Sequence, residues 1–167
     1  MGSFTRCPGC GLEVADRHLP VAGPYHASGE CLELYHRLVA ENLGRPDPAF
    51  VHQHCVDAYA AQHVGERTKP ITSVFALAGL YLAVERGFTG RQVQKAHVEL
   101  ARRAGRRIAW PRLDPRPYPW ALTVLDVLQA GAGEARALAI KRWAQAAWEG
   151  WAHEHEHIRD MCRRWIL

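Results

Sequence analysis

Cys7-Pro8-Gly9-Cys10-Gly11 brings two thiols together across two residues. Proline after the first cysteine and glycine after the second set a tight turn that aims both sulfurs at one point. Backbone N–H groups in such a turn face the sulfurs and favour the thiolate, the form that ligates metal. The spacing belongs to a metal site or to a redox dithiol. A thioredoxin-type dithiol needs a strand before it and a helix opening at it. Pro8 and Gly11 read as loop instead, so zinc is the expected cofactor.

A closed zinc site takes four ligands. Cys31 is the natural third, because it falls in the first turn of a predicted helix, where the positive end of the helix dipole favours a thiolate. Cys55 and Cys162 fit small core positions. The fourth ligand is then a histidine, and three compete. His26 would complete a compact C-x2-C-x15-H-x4-C run. His52 and His63 share a face of one predicted helix but sit about 16 Å apart along it, so they cannot bind one ion together. If the first two helices form an antiparallel hairpin, Cys31 lies level with the far end of the second, which favours His63 over His52. His63 and His26 stay open as alternatives, with His52 third. Four protein ligands leave no open position, so the ion is expected to be structural.

The other chemistry-bearing groups are histidines and carboxylates on predicted helices. In the run His153-Glu154-His155-Glu156-His157, His155 flanks the apolar stripe that carries Trp151 and Ile158. His153 and His157 form an i, i+4 pair that a metal could bridge. They read better as solvated side chains, with His155 as a hydrogen-bonded residue at the core edge, and the HExxH spacing of a zinc protease is not met. His52 and His155 are the candidate catalytic residues. Either could act as general base because imidazole titrates near neutral pH. Asp57 and Tyr59 would support them, Asp57 by orienting a histidine or else as plain surface charge. The expected pocket lies between the second and last helices, lined by His52, Tyr59, Trp151 and His155. His97, beside Val93 and Leu100, reads as a core histidine. No nucleophile elbow, phosphate loop or dinucleotide fingerprint occurs.

Residues 91–116 hold eight Lys/Arg against Glu99 and Asp114, a local net charge of +6 in a chain of +4. Arg102, Arg103, Arg106 and Arg107 straddle a helix end near Trp110 and Tyr118. Such a patch can grip nucleic acid or an acidic partner, although arginine at a helix C-terminus is also simply stabilising.

These groups must be positioned by the rest of the chain. At 167 residues, 48% apolar and 23% charged, a single domain over 1–167 with a real core is expected. A net charge of +4 is too mild for a dedicated nucleic-acid binder. An odd number of cysteines, a single CxxC and a polar start argue against a disulfide framework or a secretory leader, so a reduced, cytoplasmic protein is expected. The apolar run 74–84 falls short of the about 20 residues that span a bilayer, and no membrane association is expected.

Residues 1–27 read as a metal-organised loop region, with room for short strands, packed on a helical body over 28–167. Ser28 is a predicted N-cap for a helix over 28–43. Asp47 and Pro48 open a second, over 48–63. A third, over 70–86, is apolar almost all round and therefore central. A fourth covers 91–104 and a fifth 119–130. The last covers 134–165, roughly 45 Å long, with Gly150 as its bend. The expected fold is an all-α bundle of five or six helices.

The motifs together resemble a known pattern. Cys7-Pro8-Gly9-Cys10-Gly11, Cys31 followed by Leu34-Tyr35, Val51-His52, Val56-Asp57-Ala58-Tyr59, Gln62-His63 and Trp151-x3-His155-x3-Arg159 are similar to those of an uncharacterised bacterial family of small, CPxCG-containing helical proteins, a domain of unknown function. The resemblance implies an all-helical protein bearing cysteines and histidines, and it supplies no activity. It brings His52, Asp57, His63 and His155 forward as the positions that match. The chain departs from the pattern at His54 and Cys55, where apolar or hydroxyl residues are usual. The sequence thus reads as a zinc-binding helical protein that binds a small molecule or acts on one. The alternative is a non-catalytic module that binds nucleic acid or an acidic partner through Arg102, Arg103, Arg106 and Arg107.

Overall fold

The computed structural model describes residues 2–115 and 120–167. Two short antiparallel strands, β1 (Phe4–Arg6) and β2 (Glu13–Ala15), flank the cysteine turn, with Phe4 opposite Ala15 and Arg6 opposite Glu13. Between them the Cys7 N–H donates to the Leu12 carbonyl at 2.8 Å and the Gly11 N–H to the Cys7 carbonyl at 2.9 Å. Gly11 holds φ +78°, a left-handed conformation that glycine adopts without strain. The chain then reaches α1 (Gly29–Leu43) through an anchored loop. Glu30, in the first helical turn, accepts the N–H groups of Arg17 and Leu19, each at 3.1 Å. Ser28 caps α1 as predicted, its hydroxyl accepting the Cys31 N–H at 3.2 Å.

The second helix, α2 (His52–Gln62), begins four residues later than the predicted start at 48. Asp47 still does the capping, its two oxygens accepting the N–H groups of Val51 (2.8 Å) and His52 (3.0 Å). Residues 48–51 form a turn instead of helix because the Ala49 carbonyl accepts the Arg91 N–H at 3.0 Å. A tertiary bond has displaced a helical one. Then come α3 (Pro70–Val84), with Pro70 in its first turn, and α4 (Gly90–Arg103), opened by a Thr89/Gln92 capping box. The predicted start of the fifth helix at 119 lies outside the described residues. The described helix there is α5 (Val124–Gln129).

The long last helix of the sequence reading is two helices, α6 (Glu134–Glu149) and α7 (His155–Trp165), joined by a 3-10 turn at Ala152–Glu154. The break falls at the expected bend, Gly150. A Cβ there would lie 2.2 Å from the Trp120 ring, so that indole occupies the space a longer side chain would need. His155 folds back over the end of α6, its Nε2 2.8 Å from the Trp148 carbonyl and its ring stacked 3.7 Å from the Trp148 ring. The imidazole thus takes a carbonyl that a continuing helix would have used. Because of this split, seven α-helices occur among the described residues, where five or six were expected.

The fold is mostly helical, with one small two-stranded sheet. α2, α3 and α6 pack against one another around Leu77, Leu80, Trp143 and Ala147, while α4 and α7 cover α3. The apolar circumference of α3 accounts for its central place. No described helix is long and apolar enough to cross a membrane.

Candidate metal centre

Cys7 and Cys10 come from the strand-flanked turn, Cys31 from the first turn of α1, and His63 from the residue that ends α2. Their ligand atoms all lie within 4.8 Å of one another, and all four residues are buried. Cys10 Sγ and Cys31 Sγ are 3.7 Å apart, and Cys31 Sγ is 3.4 Å from His63 Nε2. The other ring nitrogen, Nδ1, lies 2.7 Å from the Tyr59 carbonyl. A carbonyl only accepts, so Nδ1 carries the proton and Nε2 presents a lone pair to the cysteines. Gly9 makes this convergence possible. A Cβ there would lie 2.6 Å from the His63 ring and 2.4 Å from the His26 carbonyl.

An aromatic stack seals the inner side. Tyr35 of α1 and Tyr59 of α2 stack at 3.9 Å and 6°, and Tyr59 stacks in turn on His63 at 3.9 Å. The Tyr59 hydroxyl donates to Cys31 Sγ at 3.5 Å. Burial pushes the Tyr59 phenol up, which keeps it a donor. Tyr35 is a site residue that sequence reasoning named only in the motif Cys31 followed by Leu34-Tyr35, with no role given to it. Its position one turn beyond Cys31, at i+4, was the available signal.

The three thiols cannot all ionise side by side without a cation. Hydrogen bonds from Cys10 and Cys31 hold Cys7 well below the usual thiol range. Hydrogen bonding to Cys10 and Cys7, with burial, pushes Cys31 far up. A bound divalent ion reverses this, since its charge makes the thiolate the favoured form at every sulfur. Such a cluster is suited to holding a metal ion.

Of the three histidines proposed as fourth ligand, only His63 joins the cysteines. His26 shares a backbone hydrogen bond with it, His26 N–H to the His63 carbonyl at 2.9 Å, but lines a cleft outside the turn. His52 sits at the other end of α2, its Nδ1 3.4 Å from the Asn42 amide. Cys55 and Cys162 are buried in the core, and burial pushes each thiol up to about 12.

The proposed catalytic group is dispersed. His155 is committed to Trp148 rather than to Trp151, because the 3-10 turn re-phases the helical wheel. Trp151 donates its indole N–H to the Ala61 carbonyl at 2.9 Å. Tyr59 belongs to the metal cluster. Asp57 is fully buried; Gln53 donates to one carboxylate oxygen at 3.2 Å, and the other has no partner. It is neither surface charge nor a partner to His52 or His155. His153 and His157 are separated by the same turn and bind the Asp114 carbonyl (2.9 Å) and the Glu154 carboxylate (3.3 Å). His97 is satisfied by the Phe75 carbonyl at 2.9 Å.

A half-open cavity of about 320 Å³ lies between the start of α2, the α3–α4 turn and α6. His54, Lys141 and Gln145 line it; His52, Tyr59, Trp151 and His155 do not. In the basic segment, Arg102 and Arg103 both pair with Glu99, at 2.9 and 3.0 Å, and Trp110 packs edge-on against Phe75. Arg116 and Tyr118 lie outside the described residues.

The fold and cluster define a class: a mostly helical protein whose cysteine-bearing N-terminal turn is gathered onto the first two helices by a histidine. The chain belongs to a family of unknown function, DUF5946, whose model matches residues 5–152. That span contains all four residues of the cluster. No curated protein and no solved structure matches the chain.

Proposed function

We propose that the chain binds one zinc ion through Cys7, Cys10, Cys31 and His63, that this ion is structural, and that the helical body binds a small molecule. The observation that carries the metal reading is the buried, four-membered Cys3His donor set. In a tetrahedral zinc site with Zn–S near 2.3 Å and Zn–N near 2.05 Å, sulfurs lie about 3.8 Å apart and sulfur and nitrogen about 3.5 Å apart. The separations of 3.7 and 3.4 Å match those edges. Thiolate-rich donors favour zinc over magnesium or calcium, which take oxygen. Four protein ligands leave no position for substrate, so function is expected away from the ion. The ion would supply a cross-link instead, tying the N-terminal hairpin to α1 and α2.

Elemental analysis of the purified protein tests this. The expected result is one zinc per chain, lost together with the native fold in Cys31→Ala or on chelation. No zinc, or zinc kept in full by Cys31→Ala, would overturn the reading. The nucleic-acid alternative is weakened by the Glu99 pairs, which neutralise Arg102 and Arg103 in part. Replacing Arg102, Arg103, Arg106 and Arg107 together by glutamine should leave ligand binding intact.

A further inference from the structure

We propose that the cavity between α2, the α3–α4 turn and α6 is a binding site for a small monocarboxylate with an apolar body, held by His54 and Lys141. This rests on reading the helical body as a small-molecule binder and is independent of the metal. His54 is only 4% exposed, and its buried Nδ1 has no hydrogen-bond partner. Buried polar atoms are almost always paired, and His54, which lines this cavity, leaves its own buried Nδ1 open for a partner. Lys141 projects from α6 onto the same cavity and forms no ion pair among the described residues.

The remaining lining narrows the ligand. No lining residue is acidic. The nearby Asp47 keeps its charge but turns both oxygens to the backbone N–H groups of Val51 and His52. Gln145, at the edge, has its amide held by Glu149 at 3.0 Å. Thr89 and Gly90, at the start of α4, also line the cavity, but the first amides of that helix are already taken by the Thr89 hydroxyl and the Ala49 carbonyl and add no free donors. One lysine and one imidazole suit a single negative charge. A phosphate dianion would call for more cations or for the fork of an arginine. The other walls are apolar, with Val51, Val84, Phe88 and Ala144 prominent. The volume of about 320 Å³ lies at the low end for small-molecule sites, so the apolar body is compact.

The geometry assigns complementary roles. The Lys141 ammonium meets the carboxylate at the mouth, His54 donates a hydrogen bond from inside, and the apolar tail lies along α3.

The test is a titration of the full chain, its zinc content measured on the same sample, with benzoate, hexanoate and the neutral analogue benzamide. Imidazole resonances of His54 are followed by NMR. Both carboxylates should shift them saturably, and benzamide should bind at least about tenfold more weakly. Lys141→Gln, a surface change, should weaken benzoate at least about tenfold without lowering the melting temperature. His54→Gln serves as a second variant and should also weaken binding. Three results would each overturn the site: no saturable shift with either carboxylate, equal binding of benzamide, or unchanged affinity in Lys141→Gln. Low zinc in that sample counts against the metal reading alone, and probes that shift only distant resonances count against this cavity but not against small-molecule binding.

Discussion

The two ends of α2 carry histidines of similar burial in opposite chemical conditions. At the C-terminal end, His63 is 1% exposed and fully engaged: Nδ1 with the Tyr59 carbonyl, Nε2 with the cysteines, its ring against Tyr59. Neighbouring Gln62 is saturated as well, donating to the Leu122 carbonyl at 2.8 Å and accepting the Trp143 indole N–H at 3.0 Å. Toward the N-terminal end, cavity-lining His54 keeps a buried polar atom without a partner, as does Asp57 in the middle of the helix, away from the cavity. Saturated polar clusters fix a structure, whereas unsaturated ones beside a cavity are available to a ligand. One helix therefore separates a candidate metal centre from a candidate binding face.

Removing a cysteine should break the structural end most severely. Structural zinc in small domains contributes about 10–16 kcal/mol of binding energy, comparable to or larger than the ~5–15 kcal/mol net stability of a whole domain. Cys10→Ser is expected to lose the metal and the cooperative thermal transition. His26→Ala and His52→Ala should keep one zinc per chain. Metal analysis with circular dichroism separates the two outcomes, and metal loss in His26→Ala would break the assignment of the fourth ligand.

The middle of α2 offers the next largest effect. Gly79 of α3 lies against Asp57, and a Cβ there would come within 2.1 Å of the unpaired carboxylate oxygen and 3.0 Å of His97 Nε2. Gly79→Ala is expected to destabilise by about 1–3 kcal/mol, the usual cost of overpacking a core. Denaturant titration measures it. A neutral or stabilising result would show that α2 and α3 part easily there.

Asp57 gives a prediction with a pH signature. Burial raises its carboxyl well above the ordinary 3.8, against the opposing hydrogen bond from Gln53. The surrounding groups are His97 on α4 and the phenols of Tyr25 and Tyr35, which its charge would push up further. The folded state therefore holds this proton over a pH range where the unfolded chain has released it. Stability is present in full below the ordinary carboxylate range and falls as pH rises toward the folded value. Asp57→Asn should match wild type in acid, exceed it in melting temperature at about pH 8, and flatten the profile between. A profile as steep as wild type would mean that Asp57 is ionised and compensated in the fold.

The smallest effect belongs to the Tyr59 hydroxyl. Tyr59→Phe removes one hydrogen bond to Cys31 Sγ and leaves the stack with Tyr35 and His63, so a loss of about 0.5–1.5 kcal/mol with zinc retained is expected. Loss of zinc in this variant would show that the phenol holds Cys31 in place.

How much of this was legible in the sequence depended on whether a feature is local. The cysteine turn, the Ser28 cap and the apolar girth of α3 are encoded by residues close in sequence, and the structure shows them as read. His63 needed one tertiary assumption, that α1 and α2 return on each other, which is why His26 stayed beside it. The start of α2 and the break after Gly150 depend on distant groups, the Arg91 N–H and the Trp120 ring, that no local pattern reveals. His155 is hydrogen-bonded at the core edge, one of the two readings offered, but beside Trp148 instead of Trp151, since a wheel drawn through residues 150–154 rotates every later side chain. A pocket lined by His52, Tyr59, Trp151 and His155 was expected, and none of the four lines the cavity bounded by His54 of α2, the α3–α4 turn and α6. Its lining was misassigned because His54 and Lys141 carry no recognisable spacing.

X-ray absorption at the zinc edge tests the central claim most directly. The closed-centre account predicts a first shell of three sulfurs and one imidazole nitrogen, unchanged when benzoate is added. A coordinated water or carboxylate oxygen, or a shell with fewer than three sulfurs, would contradict it and move the chemistry of this protein to the metal.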